Sequence, residues 1–146
     1  MKIVAFFVLF NLFSPTVNWL TDFEKAKTLA TQDHKYILLN FSGSDWCVHC
    51  MRLEKEIFET SVFTDYANKS LILVQADFPR KKKHKLDAEQ IKRNEALAEK
   101  YDKKGVYPVT LLFDENGNVL KEWEGSPADT PEEFVRELNS LMNVKH

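Results

Sequence analysis

Residues 36–50 read Tyr-Ile-Leu-Leu-Asn-Phe-Ser-Gly-Ser-Asp-Trp-Cys-Val-His-Cys. The first six form a nearly continuous apolar run, which is typical of a strand buried on both faces of a parallel sheet. Ser42 to Asp45 are turn and N-cap residues, and the apolar spacing beyond them predicts a helix from Cys47 to about Glu59. The sequence therefore predicts a central strand, a tight turn and a helix that opens with two cysteines.

Apolar periodicity predicts further elements on both sides of this unit. Helices are expected at 22–32, at 88–101 and after Thr130, and strands at 71–76, 109–113 and 119–123. From the helix that follows the cysteines, the side chains expected in the core are Met51, Leu53, Ile57 and Phe58.

The order of these elements predicts the fold class. Strands joined by a helical crossover run parallel, and Asn116-Gly117 predicts a hairpin that adds an antiparallel edge. We therefore expect an α/β sandwich of three layers, with a mixed central sheet of about four to five strands flanked by helices. Loops at the carboxyl ends of parallel strands share one edge, so the cysteines and loop 77–87 are expected to lie together.

Composition limits the classes of function. A chain of 146 residues, 44% of them hydrophobic, fits one globular domain. The formal net charge is −2, from 20 basic and 22 acidic residues. This balance argues against a nucleic-acid partner, because polyanion binders carry a clear basic excess.

The N-terminus differs from the rest of the chain. Lys2 precedes an apolar run at 3–13 that is followed by small residues, which is the layout of a secretory signal peptide. An uncleaved anchor or a buried N-terminal strand are the alternatives. The sequence predicts a signal peptide at 1–17, a domain at 18–146 and a periplasmic or otherwise secreted protein.

Cys47 and Cys50 are the two cysteines of the chain. A bridge across so short a loop removes little entropy from the unfolded state, so stapling is not its expected purpose. Disulfide exchange needs one thiolate near neutral pH and a second thiol that releases the mixed disulfide. Because a helix start favours an anion, we expect Cys47 to be the nucleophile and Cys50 to be the less exposed, resolving thiol.

Three other readings of the cysteine pair compete with exchange chemistry. Zinc needs further ligands, but the chain has no second pair and its histidines lack the usual spacing. Covalent haem needs a histidine after the second cysteine, where Met51 stands. An inert structural pair would leave the helix-start position without a purpose. We expect neither a metal nor an organic cofactor.

The segment Gly43-Ser44-Asp45-Trp46-Cys47-x-x-Cys50 resembles the thioredoxin superfamily and, within it, exported bacterial thioredoxin-like proteins. The similarity extends from roughly Trp19 to Met142 and includes 76–80 and 105–110. It implies a thioredoxin-like sandwich and thiol-disulfide oxidoreductase activity.

The resemblance also implies supporting residues around the cysteines. Pro108 corresponds to the cis-proline that lies against the pair, and Tyr107 before it would influence substrate choice. Trp46 corresponds to the tryptophan before the nucleophile, and Gly125 to a glycine beside the site. Without the resemblance, Pro108 reads as an ordinary strand-start proline and the two aromatic residues as packing side chains.

Two features inside the predicted site leave the direction of electron flow open. His49 is a candidate to stabilise the Cys47 thiolate, which would make the pair more oxidising; a solvated His49 is the alternative. Reducing thioredoxins keep a buried aspartate behind the pair, where this strand offers Asn40 or Phe41. Glu54 is the candidate replacement proton acceptor, and a solvated or ion-paired carboxylate is its alternative.

The run Arg80-Lys81-Lys82-Lys83-His84-Lys85, named here the basic loop, lengthens the predicted active-site edge. Such a run is usually a solvated turn. Its functional reading is a rim that attracts acidic partner proteins or anionic lipid headgroups. The basic loop and an uncleaved N-terminus are the two features that predict membrane contact.

The sequence as a whole predicts a reductase or isomerase of protein disulfides. The partners expected are protein dithiols and disulfides, and a membrane-bound electron donor is a further candidate partner. A disulfide oxidase, and a thioredoxin-fold binding or chaperone module with incidental cysteines, are the alternatives.

Overall fold

The computed structural model describes residues 16–143 of the chain. All but the last two residues of the predicted signal peptide at 1–17 lie outside this range. The strands are Trp19–Leu20 (β1), Tyr36–Ser42 (β2), Leu71–Asp77 (β3), Val109–Phe113 (β4) and Val119–Glu124 (β5). The α-helices are Phe23–Asp33 (α1), Val48–Leu53 (α2), Ser61–Ser70 (α3), Ala88–Tyr101 (α4) and Pro131–Met142 (α5).

The five strands form one mixed sheet in the order β1-β3-β2-β4-β5. β3 runs parallel to both β1 and β2, because helical crossovers separate these strands along the chain. β4 runs antiparallel to β2 and pairs with β5 through the predicted hairpin. The mixed sheet predicted from the sequence is confirmed, with β2 in its centre.

Two apolar clusters cover the two faces of the sheet. Leu38 of β2 packs with Phe58 and Phe134, on the face covered by α2, α3 and α5. Its neighbours Ile37 and Leu39 belong to the other cluster, which α1 and α4 cover. Each fully buried Leu or Phe contributes about 1.5–3 kcal/mol relative to an exposed one. The three-layer sandwich is therefore confirmed, and β2 is held from both sides.

The region after the cysteines differs in part from the prediction. The helix reaches the expected end, but its second half, Glu54–Phe58, is a π-helical turn. Met51 was expected in the core and is instead 44% exposed, because it lies on the outer side of the helix. Helix α3 and the two-residue strand β1 were not predicted.

Helix α4 contacts the end of β3 through polar side chains as well as apolar ones. Its fully buried side chains are Gln90 and Asn94, while Leu97 is partly buried. Asn94 Nδ2 donates to the carbonyl of Asp77 at 2.8 Å, and Gln90 Nε2 donates to Thr21 at 2.8 Å. These bonds fix the start of the loop that follows β3. None of the helices within 16–143 is long and apolar enough to cross a membrane.

Candidate active site

A disulfide joins Cys47 to Cys50, with their Cα atoms 5.2 Å apart. Cys47 is the N-cap of α2, and its backbone is extended rather than helical. Its Sγ accepts a hydrogen bond from the backbone N–H of Cys50 at 3.2 Å. The two residues are 5% and 4% exposed, so the expected difference in exposure is absent in the oxidised protein. The two sulfurs differ instead in this hydrogen bond, which the Cys47 Sγ accepts.

Gly43 makes room for the tryptophan that precedes the cysteines. A Cβ atom at Gly43 would overlap the indole of Trp46 and lie 2.7 Å from its Nε1. The Gly43 carbonyl also accepts from the N–H of Cys47 at 2.8 Å, and Trp46 Nε1 donates to the Phe78 carbonyl at 2.7 Å. The role of Gly43 was not predicted, although a glycine directly after a buried strand signals a close approach.

Asp45 ties the cysteine turn to the basic loop. Its carboxylate accepts from the backbone N–H groups of Arg80 at 2.9 Å and Lys81 at 3.0 Å, and it pairs with His84 Nδ1 at 2.9 Å. Its side chain is only 4% exposed. The Arg80 N–H is the largest influence on this carboxyl and, against the opposing effect of burial, lowers the pKa of Asp45 to about 2.

Ser44 makes a second set of hydrogen bonds between the cysteine turn and the segment that begins at the end of β3. Its backbone N–H donates to Asp77 Oδ1 at 2.9 Å, and its hydroxyl donates to Asp77 Oδ2. The predicted meeting of the cysteine turn and loop 77–87 at one edge is therefore confirmed. Sequence reasoning missed the roles of Ser44, Asp45 and Asp77, because only the folded loops show which donors each carboxylate meets.

An aromatic cluster lies beside the cysteines. The ring of Tyr107 packs edge-on against Trp46 at 5.5 Å and against Phe78 at 5.6 Å between centroids. The guanidinium of Arg80 lies over the Trp46 ring, 3.6 Å from its centroid. Trp46 and Tyr107 thus pack against each other and also border the site. A packing role and a functional role are therefore compatible for both residues.

Pro108 and Gly125 lie together beside the cysteine helix. The Tyr107–Pro108 peptide bond is cis, as the resemblance implies. The Pro108 carbonyl accepts from the N–H of Gly125 at 2.8 Å, and Gly125 has a φ of +83°, a conformation that favours glycine. A groove of about 300 Å³, named here the proline groove, contains Pro108, Gly125, Tyr107 and His49.

His49 faces the proline groove from the cysteine helix. Its side chain is exposed, and no hydrogen bond within residues 16–143 joins it to the Cys47 sulfur. The structure therefore places His49 at the proline groove, and the candidate contact with Cys47 is not made in the oxidised protein.

Glu54 lies one turn beyond Cys50, at the start of the π-helical turn. Its backbone N–H donates to the carbonyls of Cys50 and Met51. Burial raises the pKa of Glu54 above its usual value, and the negative charges of Glu59 and Asp77 raise it further. Within 16–143 no salt bridge reaches this carboxylate, so the ion-paired alternative does not hold for the described residues.

Asn40 is one of the two residues of β2, with Phe41, that were considered for the position of the buried acid. Its Nδ2 donates to Thr110 Oγ1 at 3.0 Å, and the residue is only 2% exposed. A buried amide held in this way cannot accept a proton. Among the described residues, no cluster of three or more His, Cys, Asp or Glu side chains is arranged to hold a metal ion.

A protein family and two known proteins resemble this chain over most of its length. The family described as a thioredoxin-like domain matches residues 23–141. The disulfide bond reductase DsbH of Chlamydia pneumoniae is 36% identical over 114 residues, which cover 78% of this chain and 66% of that protein. The thioredoxin-related protein DsbJ of the same species is 27% identical over 112 residues, covering 76% and 31%. The chain thus spans just under two thirds of one relative and under a third of the other.

A solved structure described as a DsbH oxidoreductase superposes on this fold with a TM-score of 0.78. It is 29% identical, and the match covers 90% of this chain and 88% of that one. The similarity therefore extends over nearly the whole described domain.

Proposed function

Because the chain belongs to the thioredoxin-like family, we propose that it is a thiol-disulfide oxidoreductase that acts on protein disulfides through Cys47 and Cys50. One observation carries this proposal. The Cys47 sulfur lies at the N-cap of a helix, where it accepts the Cys50 N–H and is bonded to the Cys50 sulfur. A backbone N–H and the positive helix end both favour a thiolate at this position once the bond is reduced.

The reduced protein acts in two exchange steps. The Cys47 thiolate attacks one sulfur of the substrate disulfide; a mixed disulfide forms, and the other substrate sulfur leaves as a thiolate. The Cys50 thiol then loses its proton and attacks the Cys47 sulfur. This step forms the Cys47–Cys50 disulfide and releases a substrate dithiol. Two electrons pass to the substrate, and an external dithiol donor resupplies them.

Glu54 is the proton acceptor in the second step. It lies one helical turn beyond Cys50, and burial raises its pKa, which brings the carboxylate closer in basicity to the thiol it serves. Asn40, on the central strand, is committed to Thr110 and has no such capacity.

The reducing direction is favoured over oxidation. The relative with 36% identity is described as a disulfide bond reductase, and this supports the same direction here. The signal-like N-terminus supports action outside the cytoplasm, where substrate disulfides persist. Isomerisation uses the same first step and remains the second activity of the site, since a mixed disulfide can also be resolved by another substrate thiol.

Trapping the mixed disulfide tests the proposal. The Cys50→Ala variant cannot resolve the intermediate, so it should accumulate a covalent adduct with a disulfide-bonded peptide, and mass spectrometry should locate the bond at Cys47. The Cys47→Ala variant is the matched control and should form no such adduct with the same peptide. Absence of an adduct in Cys50→Ala, with full biological function in Cys47→Ala, would instead favour a binding module.

A further inference from the structure

A second groove borders the active site at Trp46 and Tyr107. It has a volume of about 340 Å³ and lies between the basic loop and the start of α4. Trp46 and Tyr107 form its wall nearest to the cysteines, and Phe78, Arg80 and Lys85 continue it outward. This space, named here the loop groove, therefore begins at the residue that precedes the nucleophile.

The basic loop concentrates positive charge in a chain that is negative overall. Five of the 20 basic residues fall between positions 80 and 85, while the whole chain has a net charge of −2. All five are exposed. Within the described residues, no salt bridge joins any of the five to a carboxylate. Their charge is therefore available to a partner.

Two carboxylates beside the basic loop are already engaged within the protein. Asp45 accepts the N–H groups of Arg80 and Lys81, and Asp77 accepts from Ser44. These bonds hold the loop backbone against the cysteine turn. The cationic side chains therefore extend from a backbone that is held at Arg80 and Lys81 against the cysteine turn.

Arg80 links the charge of the loop to the aromatic wall. Its guanidinium carbon lies over the Trp46 ring, 3.6 Å from the centroid, and no hydrogen bond from the guanidinium to another described residue is made. A guanidinium held on a ring face keeps its N–H edge free for bidentate binding of a carboxylate. A carboxylate bound there would lie beside the residue that precedes the nucleophile.

We propose that the loop groove and the basic loop together form a docking surface for an acidic segment of the protein substrate, close in sequence to the disulfide that Cys47 attacks. The inference rests on the proposed exchange activity and names the class of substrate. Charge complementarity selects this occupant: exposed cations that make no salt bridge within residues 16–143, beside an aromatic groove, attract a chain rich in Asp and Glu and increase the rate of its encounter.

Two disulfide-bonded peptides test the docking surface, one flanked by Asp and Glu and the other by Asn and Gln. Each rate of reaction with the reduced protein is divided by the rate of the same protein with hydroxyethyl disulfide, which is uncharged. We expect the acidic peptide to react about tenfold faster than the neutral one at low ionic strength. The ratio of the acidic-peptide rate to the neutral-peptide rate should fall towards one at about 0.5 M salt, where the Debye length is only a few ångströms.

The loop variant replaces Lys82, Lys83 and Lys85 with Gln, and should lower the acidic preference to within about twofold of unity. A control variant removes equal charge elsewhere by changing Lys25, Lys69 and Lys121 to Gln, and should keep the wild-type preference. A loop variant that retains the full preference, or a wild-type protein without any, would overturn the proposal. Binding of the wild type to phosphatidylglycerol vesicles without an acidic-peptide preference would also overturn it, in favour of a lipid surface.

The same peptides with serine in place of cysteine separate docking from chemistry. Their binding is followed by tryptophan fluorescence. Tighter binding of the acidic peptide by the wild type, lost in the loop variant, supports the docking surface even if no exchange occurs. Failure of the wild type to react with hydroxyethyl disulfide would count against the exchange activity alone, whereas equal binding of both peptides would count against the docking surface alone.

Discussion

The turn before Cys47 and the helix after it are built in opposite ways. In the turn, residues 43–46 are fastened by hydrogen bonds to the loop after β3 and by the packing of Trp46 over Gly43. In the helix, Val48 is 63% exposed and Met51 44% exposed, and Glu54 is partly buried without a salt bridge to a described residue.

This difference separates positioning from chemistry. The turn holds the Cys47 backbone in one place, because the side chains of Ser44, Asp45 and Trp46 are hydrogen-bonded to the end of β3 and the loop after it. The helix exposes apolar side chains, which a partner can contact, and it contains a carboxyl with a raised pKa, which can take up a proton. Substitutions in the turn should therefore cost stability first, and substitutions in the helix should change reaction rates first.

The largest effect expected in the turn comes from Gly43→Ala. The new Cβ would overlap the Trp46 indole, which is held in place by its bond to Phe78, so the protein should lose about 2–3 kcal/mol of unfolding free energy. Gly105→Ala is the control, because nothing lies within 4 Å of its Cβ and only its positive φ is strained, at about 1 kcal/mol. Urea unfolding measures both. An equal loss in the two variants would refute the close approach at Gly43.

Glu54→Gln should change both the rate and the stability. Removing the proton acceptor should slow release of the mixed disulfide about tenfold near pH 7, an effect that fades at higher pH as Cys50 ionises without help. Stopped-flow fluorescence between pH 6 and 9 measures this step. Glu95→Gln, a change at an exposed residue of α4, should leave the rate unaltered. A flat pH profile shared by the wild type and Glu54→Gln would remove the proposed role.

The stability effect of Glu54 has a definite sign. Its pKa is raised in the folded protein, so its favourable contribution is complete below the usual value of 4.5 and is lost as the pH rises through the folded pKa. Glu54→Gln should therefore be more stable than the wild type at pH 8 and gain little at pH 4. Thermal unfolding at the two pH values measures the difference. A variant less stable than the wild type at pH 8 would contradict this prediction.

Asp45→Asn should have the smallest of these effects and the opposite pH dependence. Folding lowers the pKa of Asp45 from 3.8 to about 2, so its contribution to stability is complete above 3.8 and is lost as the pH falls through about 2. The stability gap between wild type and variant should close as the pH falls. The Arg80 and Lys81 amides should exchange faster with solvent in this variant at neutral pH, and should not do so in Asp65→Asn. Unchanged exchange would mean that Asp45 does not hold the loop.

The sequence predicted the parts of the fold that carry strong local patterns. The apolar run of β2, the Asn116-Gly117 hairpin and the cysteine helix each follow from residues near in sequence. Helix α3 was missed because its segment contains Val62 and Thr64, which are poor helix formers, and buries only Phe63 and Ala67. Its stability comes from distant packing, such as Phe63 against Phe134 at 5.9 Å.

The site, like the fold, could be predicted only where a local sequence pattern or the family resemblance indicated it. The cysteines and their helix could be read from one segment, and Pro108 came from the resemblance. The ties of Asp45 to Arg80 and of Ser44 to Asp77 join residues more than 30 positions apart, so no local pattern indicates them. Met51 was predicted to be buried from its spacing alone, which did not show which side of the helix faces the core.

The reduction potential of the Cys47–Cys50 pair tests the central claim most directly. The claim requires both that the pair is oxidised and reduced reversibly and that its reduced form donates electrons. Equilibration in glutathione buffers, with alkylation of the free thiols, measures it. We expect a potential between about −200 and −270 mV, in the range of glutaredoxins and thioredoxin. A pair that stays oxidised in reduced glutathione and dithiothreitol would contradict exchange chemistry. A potential near −120 mV would contradict the reducing direction and indicate an oxidase.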